Sequence, residues 1–103
     1  MLAHVAIFPT DKGASVSAHV AEIVKMIADS GLDYRVTSMG TQIEGDAEAV
    51  FDLIKRCHLA MRAVSQRVYT TIAIDDREGA TGRLSGKIKS LEARLGRSLP
   101  DEA

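Results

Sequence analysis

The sequence predicts an α+β domain in which two helices cover one face of a four-stranded antiparallel sheet. Three observations predict it: short apolar segments that stop at proline or glycine, longer segments with apolar residues every three to four positions, and the order in which the two kinds follow one another. The 103 residues suffice for one domain and not for two. Hydrophobic residues make up 46% of the chain and charged residues 26%, which is ordinary for a globular protein.

Four segments have the length and composition of strands. Segment 2–8 is apolar and stops at a proline, while segments 33–39 and 41–45 are separated by a tight turn at Gly40. Segment 67–75 alternates between two kinds of side chain, so that its isoleucines share one face. The second and third strands therefore form a hairpin, and the first and fourth lie far from it in the sequence.

Three segments have helical spacing. The first, 15–30, carries a stripe of valines and isoleucines and stops at a glycine. The second follows an N-cap at Asp46 and extends to Val64, and the third covers 84–95. The order strand, helix, strand, strand, helix, strand, with an added terminal helix, is the ferredoxin-like βαββαβ pattern. We expect strand order 4-1-3-2, a single domain over 1–97, and a frayed tail over 98–103.

The face of this sheet without helices is predicted to carry a mixed set of side chains. Alternation assigns the other face to the core, namely Val5, Ile7, Val36, Ile43, Ile72 and Ile74. The open face then receives His4, Phe8, Arg35, Thr37, Met39, Gln42, Glu44, Tyr69 and Thr71. This set is too apolar for a bare surface and too polar for a core. A second copy would cover it, so we expect a homo-oligomer built on an isologous dimer. The alternative is that the terminal helix folds back over it.

Composition and charge exclude several classes of protein. The net charge of -1 does not suggest a nucleic-acid-binding protein, and no apolar run reaches the length of a membrane span. The single cysteine, Cys57, excludes an intramolecular disulfide and a cysteine-based zinc site, and the three histidines lack metal-ligand spacing. We therefore expect no metal, no cofactor and no membrane or nucleic-acid partner. The start of the chain shows no basic signal segment, so a cytoplasmic location is expected.

Two segments carry more polar groups than their elements require. Between the first strand and first helix, Ser15 and Ser17 can cap the helix or leave its amides to a ligand. In the hairpin, Glu44 needs a partner, which we expect to be Arg35 or a ligand. No nucleophile elbow and no phosphate-binding glycine loop occurs. The candidate ligand-binding residues are Ser15, Ser17, Thr37, Met39, Gly40, Thr41, Gln42 and Glu44.

The chain resembles the small thiamine-binding protein family. The resemblance spans roughly residues 5 to 90 and rests on motifs that occur in order: Ser15-Val16-Ser17, Met39-Gly40-Thr41, Ile43-Glu44-Gly45-Asp46, His58 and Ile74-Asp75-Asp76-Arg77. It implies a ferredoxin-like fold, a dimer or dimer of dimers, and binding of thiamine or its hydroxymethylpyrimidine half without catalysis, for salvage or transport. The alternatives are a structural or regulatory oligomeric module that binds no thiamine, and a metal-dependent enzyme using Glu44, Asp46 and Asp75.

Overall fold

The computed structural model describes residues 1–13, 16–79 and 81–100. The order of its elements confirms the predicted order, and the bounds differ from the predicted ones by a few residues at the ends. The elements are β1 (Leu2–Pro9), α1 (Ser17–Asp29), β2 (Asp33–Thr37), β3 (Gly40–Glu44), α2 (Ala47–Arg62), β4 (Val68–Asp75) and α3 (Arg83–Leu95).

The four strands form one antiparallel sheet in the order β2-β3-β1-β4. This is the predicted order 4-1-3-2 read from the other edge, so the ferredoxin-like fold is confirmed. In the register, Val5 of β1 lies between Thr41 of β3 and Ile72 of β4, and His4 lies between Gln42 and Ala73. Neighbouring residues of a strand point to opposite faces, so these two rows belong to opposite sides of the sheet.

The core lies between the sheet and the helices α1 and α2. The central strands and the helices supply its buried residues: Ala3, Val5, Ile7, Ile23, Ile27, Ile43, Val50, Leu53, Ile54, Cys57 and Met61. Three predicted core residues, Val36, Ile72 and Ile74, lie on this face by register but remain partly exposed. They belong to β2 and β4, the edge strands, where the two helices cover less of the sheet. We refer to this side of the sheet as the covered face.

The two core helices begin differently. Asp46 caps α2 as predicted, because its Oδ1 accepts a hydrogen bond of 2.9 Å from the Ala49 amide. At the start of α1 the N-cap position is taken by Val16, whose side chain supplies no cap. Capping by Ser17 is therefore wrong, since Ser17 is the first residue of the helix itself, and Ser15 lies outside the described residues.

The loop that leads from β1 towards α1 is tied to the loop between α2 and β4. Ser65 donates a hydrogen bond of 2.6 Å to Oδ1 of Asp11, and the Gln66 amide donates one of 2.8 Å to Oδ2. Hydrogen bonds to the charged carboxylate, first from Ser65 and then from Gln66, lower the pKa of Asp11. Arg62 donates to the Ser65 carbonyl at 2.9 Å, so the end of α2 joins the same cluster.

The terminal helix α3 meets the sheet at one end of the face without core helices, which we call the open face. Its contacts are concentrated on β2 and β3. Phe8 and Tyr69 on the open face stay 38% and 53% exposed. The terminal helix therefore covers only one corner of the open face of its own subunit, and the alternative expectation that it covers the whole face is wrong. No helix of the described residues is both long and apolar enough to cross a membrane.

Candidate functional site

A cavity of about 240 Å³ lies between α1 and the covered face of the sheet, beside the turn that joins β2 to β3. Three parts of the chain line it: residues 5–8 of β1, the inward face of α1 from Val16 to Ile27, and residues 36–41 of the hairpin. No charged side chain is among the lining residues that the structure describes. The cavity is thus an apolar pocket with a small number of polar groups, which is the usual composition of a small-molecule site.

Short side chains face the cavity on two sides. Along α1 it is lined at successive turns by Val16, Val20 and Val24, and across from them lies Val36 of the edge strand β2. Valine reaches a shorter distance from the backbone than leucine or phenylalanine, so it leaves space between the helix and the sheet. The remainder of the interface, around Ile43 and Leu53, is fully packed.

Thr41 places a hydroxyl at this cavity. Its side chain is only 6% exposed, and it lies on the covered face because it pairs with Val5 and Val36. No described residue makes a hydrogen bond with the Thr41 hydroxyl. Every fully buried polar side-chain atom of the described residues has a hydrogen-bond partner, so the Thr41 hydroxyl is not fully buried. The hydroxyl therefore faces the cavity, where a ligand atom can meet it.

The start of α1 adds backbone donors at the cavity. The first intrahelical bond runs from the Val20 amide to the Val16 carbonyl at 3.0 Å, and Val16 and Val20 both line the cavity. The amides before Val20 have no acceptor within the helix, and the N-cap residue Val16 has no side chain that could cap them. They also lie at the positive end of the helix dipole, so this end of the cavity favours a ligand atom that accepts hydrogen bonds.

The β2–β3 turn forms the rim of the cavity. Thr37 holds the turn together, since its hydroxyl donates to the Gly40 carbonyl at 2.9 Å and accepts from the Met39 amide at 3.2 Å. Gly40 lies against β1, where an added Cβ would be 2.7 Å from the Val5 carbonyl oxygen and 2.9 Å from the His4 ring. The Met39 side chain is 78% exposed beside the opening.

Half of the eight candidate residues predicted from the sequence line the cavity. Thr37, Met39, Gly40 and Thr41 all line the cavity. Ser17 is exposed at the start of α1, next to the lining residue Val16 but outside the lining itself. Ser15 falls on a residue that the structure does not describe.

Gln42 and Glu44 lie on the other side of the sheet from the cavity. Gln42 pairs with His4 and Arg35, and Glu44 pairs with Leu2 and Asp33, so both point to the open face. Of the two partners expected for Glu44, Arg35 is wrong. Its carboxylate accepts hydrogen bonds from the Arg83 amide at 2.7 Å and the Leu84 amide at 3.1 Å, the first two residues of α3.

The valines of α1 and β2 line the site, although they were not among the residues predicted to bind a ligand. Val16, Val20 and Val24 belong to a stripe with helical spacing, and such a stripe predicts core packing. A signal was present in the residue type, since three valines at four-residue intervals fill less space than leucines would. Recognising a cavity from it also required knowing that Val36 and Thr41 lie opposite.

The described residues offer few groups for catalysis. They contain no group of three or more histidine, cysteine, aspartate or glutamate side chains able to hold a metal ion. The Cys57 thiol is buried in the core, and this burial raises its pKa, which opposes formation of a nucleophilic thiolate. His58 shares a hydrogen bond of 2.8 Å between its Nδ1 and the Thr70 hydroxyl, at the boundary between α2 and β4.

Comparisons with known proteins agree with the resemblance seen in the sequence. The family model described as thiamine-binding protein matches residues 3–92. The UPF0045 protein sll0230 of Synechocystis is 33% identical over 90 residues, which cover 86% of this chain and 74% of the relative. The UPF0045 protein YqgV of Bacillus subtilis is 37% identical over 86 residues, covering 79% and 83% respectively.

Solved structures support the same grouping. The crystal structure of MJ1052 from Methanocaldococcus jannaschii matches with a TM-score of 0.81 at 30% identity, covering 87% of this chain and 93% of that one. A Thermotoga maritima protein named as a candidate for thiamine biosynthesis or salvage matches with a TM-score of 0.78 over 87% of this chain and 96% of that one. At 18% identity this second match shows the fold alone. Because the family model matches most of the chain, and relatives above 30% identity align with most of it, the chain belongs to the thiamine-binding protein family.

Proposed function

We propose that this protein binds thiamine or its hydroxymethylpyrimidine half without catalysing a reaction, as a cytoplasmic homo-oligomer that serves salvage or transport of the vitamin. One observation carries the proposal: a chain of the thiamine-binding family has an uncharged cavity, and the nearly buried hydroxyl of Thr41 faces into it. A single buried and unpaired cysteine suits a reducing compartment. The partly exposed Phe8 and Tyr69, with ring centroids 5.5 Å apart, support oligomerisation through the open face.

The aminopyrimidine ring fits the chemistry of the cavity. The ring is flat, and the apolar walls formed by the valines of α1 and by β1 can contact both its faces. Its ring nitrogens accept hydrogen bonds, which the amides at the start of α1 can donate. Its exocyclic amino group donates, and a hydroxyl such as that of Thr41 can accept.

The cationic thiazolium ring of thiamine belongs outside the cavity in this proposal. Moving a cation into an uncharged apolar space costs free energy that no carboxylate among the described lining residues would offset. The rim at Met39 leaves an opening through which the second ring can reach solvent. We therefore place the pyrimidine inside and the thiazolium at the mouth.

A structural or regulatory module without thiamine binding remains the second candidate function. The observation in its favour is Glu44, which the structure uses to hold α3 through two backbone amides. Gln42 also points away from the cavity. Under this alternative the polar hairpin residues serve the architecture and the assembly of subunits.

Thermal unfolding with and without thiamine, hydroxymethylpyrimidine and thiamine phosphate tests the proposal. A ligand present at about 100 times its dissociation constant adds roughly 2.7 kcal/mol and raises the melting temperature by several degrees. Thr41→Val should weaken the binding of the stabilising ligand by about 3- to 10-fold, since one neutral hydrogen bond is lost.

Thr71→Val is the matched control for the Thr41 variant. It makes the same chemical change in a strand, but Thr71 is exposed and pairs with Ala6 on the open face. Its affinity for the ligand should equal that of the unaltered chain. If none of the three compounds stabilises a correctly folded oligomer, the binding proposal is wrong and the structural module is favoured.

A further inference from the structure

The sulfur-containing side chains of the protein differ widely in their exposure to solvent. The chain contains four methionines and one cysteine. Met61 and Cys57 are each 1% exposed in the core, and Met1 and Met26 are half-buried against it. Met39, in the turn between β2 and β3, is 78% exposed. One thioether is therefore open to solvent, while the other sulfur atoms are shielded by the fold.

The β2–β3 turn holds Met39 at the mouth of the cavity. The Thr37 hydroxyl accepts a hydrogen bond from the Met39 amide at 3.2 Å and donates one to the Gly40 carbonyl at 2.9 Å. Gly40 lies close against β1, since an added Cβ would be 2.7 Å from the Val5 carbonyl oxygen. The backbone around Met39 is thus held in place, and Met39 is among the residues that line the cavity. A chemical change of this side chain therefore acts at the cavity mouth.

An exposed thioether reacts with peroxides. The sulfur lone pair bonds to one oxygen of hydrogen peroxide, the O–O bond breaks, and the second oxygen leaves as water with the proton of the transferred oxygen. The sulfur loses an electron pair and the peroxide gains it, so the products are methionine sulfoxide and water. Access of the peroxide to the sulfur decides which methionine reacts first, and Met39 offers the most access.

The Cys57 thiol does not compete with Met39 for a peroxide. The thiolate is the form that reacts, and burial in the core raises the pKa of the Cys57 thiol, so little thiolate forms at neutral pH. The position of Cys57 in the core also denies a peroxide access to the sulfur. Oxidation of the folded chain is therefore expected at a methionine.

Oxidation converts Met39 from an apolar side chain into a polar one. The thioether is a weak hydrogen-bond acceptor, whereas the sulfoxide oxygen is strongly hydrated. The walls beside it are apolar, formed by the valines of α1 and β2. A ligand that enters the mouth displaces water from the sulfoxide oxygen, and a polar group that loses water without gaining a hydrogen bond costs free energy. The sulfoxide therefore weakens the binding of a ligand seated there.

We propose that Met39 is an oxidation site through which a peroxide lowers the affinity of the cavity for its ligand. The position of the site follows from exposure, whereas the effect on the ligand rests on the proposed function. Methionine sulfoxide reductases return the sulfoxide to the thioether, so the change is reversible. The ligand site thus responds to the peroxide level of its surroundings.

Mass spectrometry of the folded chain after graded exposure to hydrogen peroxide tests the oxidation site. Trypsin places the four methionines on different peptides, because a lysine or arginine lies between each pair. The peptide with Met39 should gain an oxygen atom about threefold faster or more than the peptides with Met26 or Met61. The melting temperature without ligand should stay unchanged, because the modified side chain lies in solvent. Equal or faster oxidation of another methionine would overturn the proposed site.

Titration with hydroxymethylpyrimidine and with thiamine, before and after this oxidation, tests the effect on the ligand. Oxidation of Met39 should weaken binding about 3- to 10-fold, and treatment with methionine sulfoxide reductases should restore it. In Met39→Leu the affinity should be the same before and after peroxide, whatever its starting value. Met26→Leu is the matched control, because it makes the same change at a half-buried methionine that is not among the described lining residues. It should keep the full effect of peroxide.

The oxidation site and its effect on the ligand fail in different ways. An unchanged or higher affinity after oxidation of Met39, or an equal loss of affinity in Met39→Leu, would overturn the effect on the ligand. If the untreated chain binds neither compound, the proposed function is wrong and the effect on the ligand is wrong with it. The mass measurement needs no ligand, so it decides the oxidation site in either case.

Discussion

Strand β3 begins at a cavity and ends at a helix. At its start, Thr41 lies on the covered face, 6% exposed, with a hydroxyl that no described residue satisfies. At its end, Glu44 lies on the open face, 8% exposed, with a carboxylate that two amides of α3 satisfy. The two side chains are equally enclosed, and yet one is available to a ligand and the other is used within the fold.

Burial of a polar strand residue therefore does not by itself identify a binding site. Glu44 follows Thr41 by three positions, an odd number, so the alternation of a strand places them on opposite faces. What differs is the neighbour on each face: α1 brings valines and leaves a gap, while α3 brings unsatisfied amides. A partner within the chain decides whether a polar group remains free for a ligand.

The largest expected effect is a difference in stability between substitutions at two adjacent residues of β3, one on each face of the sheet. Ile43→Ala should lower the free energy of unfolding by about 2–5 kcal/mol, because Ile43 is fully buried on the covered face and the change leaves a void. Gln42→Ala, one position away on the open face, should change it by about 0.5 kcal/mol or less. Urea denaturation measures both, and similar losses would mean that the two faces are equally packed.

Gly40→Ala tests the rim of the cavity. The new methyl group would overlap the Val5 carbonyl and the His4 ring, so we expect a loss of about 2–4 kcal/mol and weaker ligand binding. Gly79→Ala is the control, because Gly79 has φ of +74° but no atom within 4 Å of an added Cβ. It should cost less and leave binding unchanged. Equal costs would show that β1 moves away without strain.

Cys57→Ala tests whether the side chains between α2 and the covered face serve only to pack the core. Cys57 is 1% exposed, so the variant should lose about 1–3 kcal/mol of stability through a small void and should keep its affinity for the ligand. Chemical denaturation and ligand titration on the same sample measure the two quantities. Unchanged stability together with abolished binding would instead assign Cys57 to the site.

The smallest expected effect concerns the open-face end of β3. Glu44→Gln keeps one acceptor oxygen but removes the charge opposite the start of α3, so a loss of about 0.5–2 kcal/mol is expected. Glu22→Gln removes a charge from an exposed position of α1 and should have no measurable effect. Ligand affinity should be the same in both variants. A loss of ligand affinity in Glu44→Gln but not in Glu22→Gln would show that Glu44 takes part in ligand binding.

Much of the fold could be predicted because local patterns and the rules of topology act together. Valines and isoleucines at helical spacing defined α1 and α2, alternation in 67–75 defined β4, and Asp46 marked the start of α2. The order of the elements then left few possible sheets, and the observed one is the predicted one. Of the candidate ligand-binding residues predicted in the hairpin, Thr37, Met39, Gly40 and Thr41 line the cavity.

The site itself was less predictable, because it depends on what lies across from each residue. Ser17 was expected to cap α1 or bind a ligand, but it begins the helix and points to solvent. Glu44 was expected to bind Arg35 or a ligand, but its carboxylate accepts hydrogen bonds from the first turn of α3, about 40 residues away along the chain. Contacts at that separation carry no local pattern.

The sequence by itself determined the elements of this protein, their order and the face on which most strand residues lie, because these follow from periodicities of two and 3.6 residues. The tertiary structure alone decided which polar groups are satisfied. It left a gap beside Thr41, because valines of α1 oppose it, and it closed the space beside Glu44, because α3 begins there. A cavity is the space left unfilled between elements that are distant in the sequence, and that space is set only when the helices pack on the sheet.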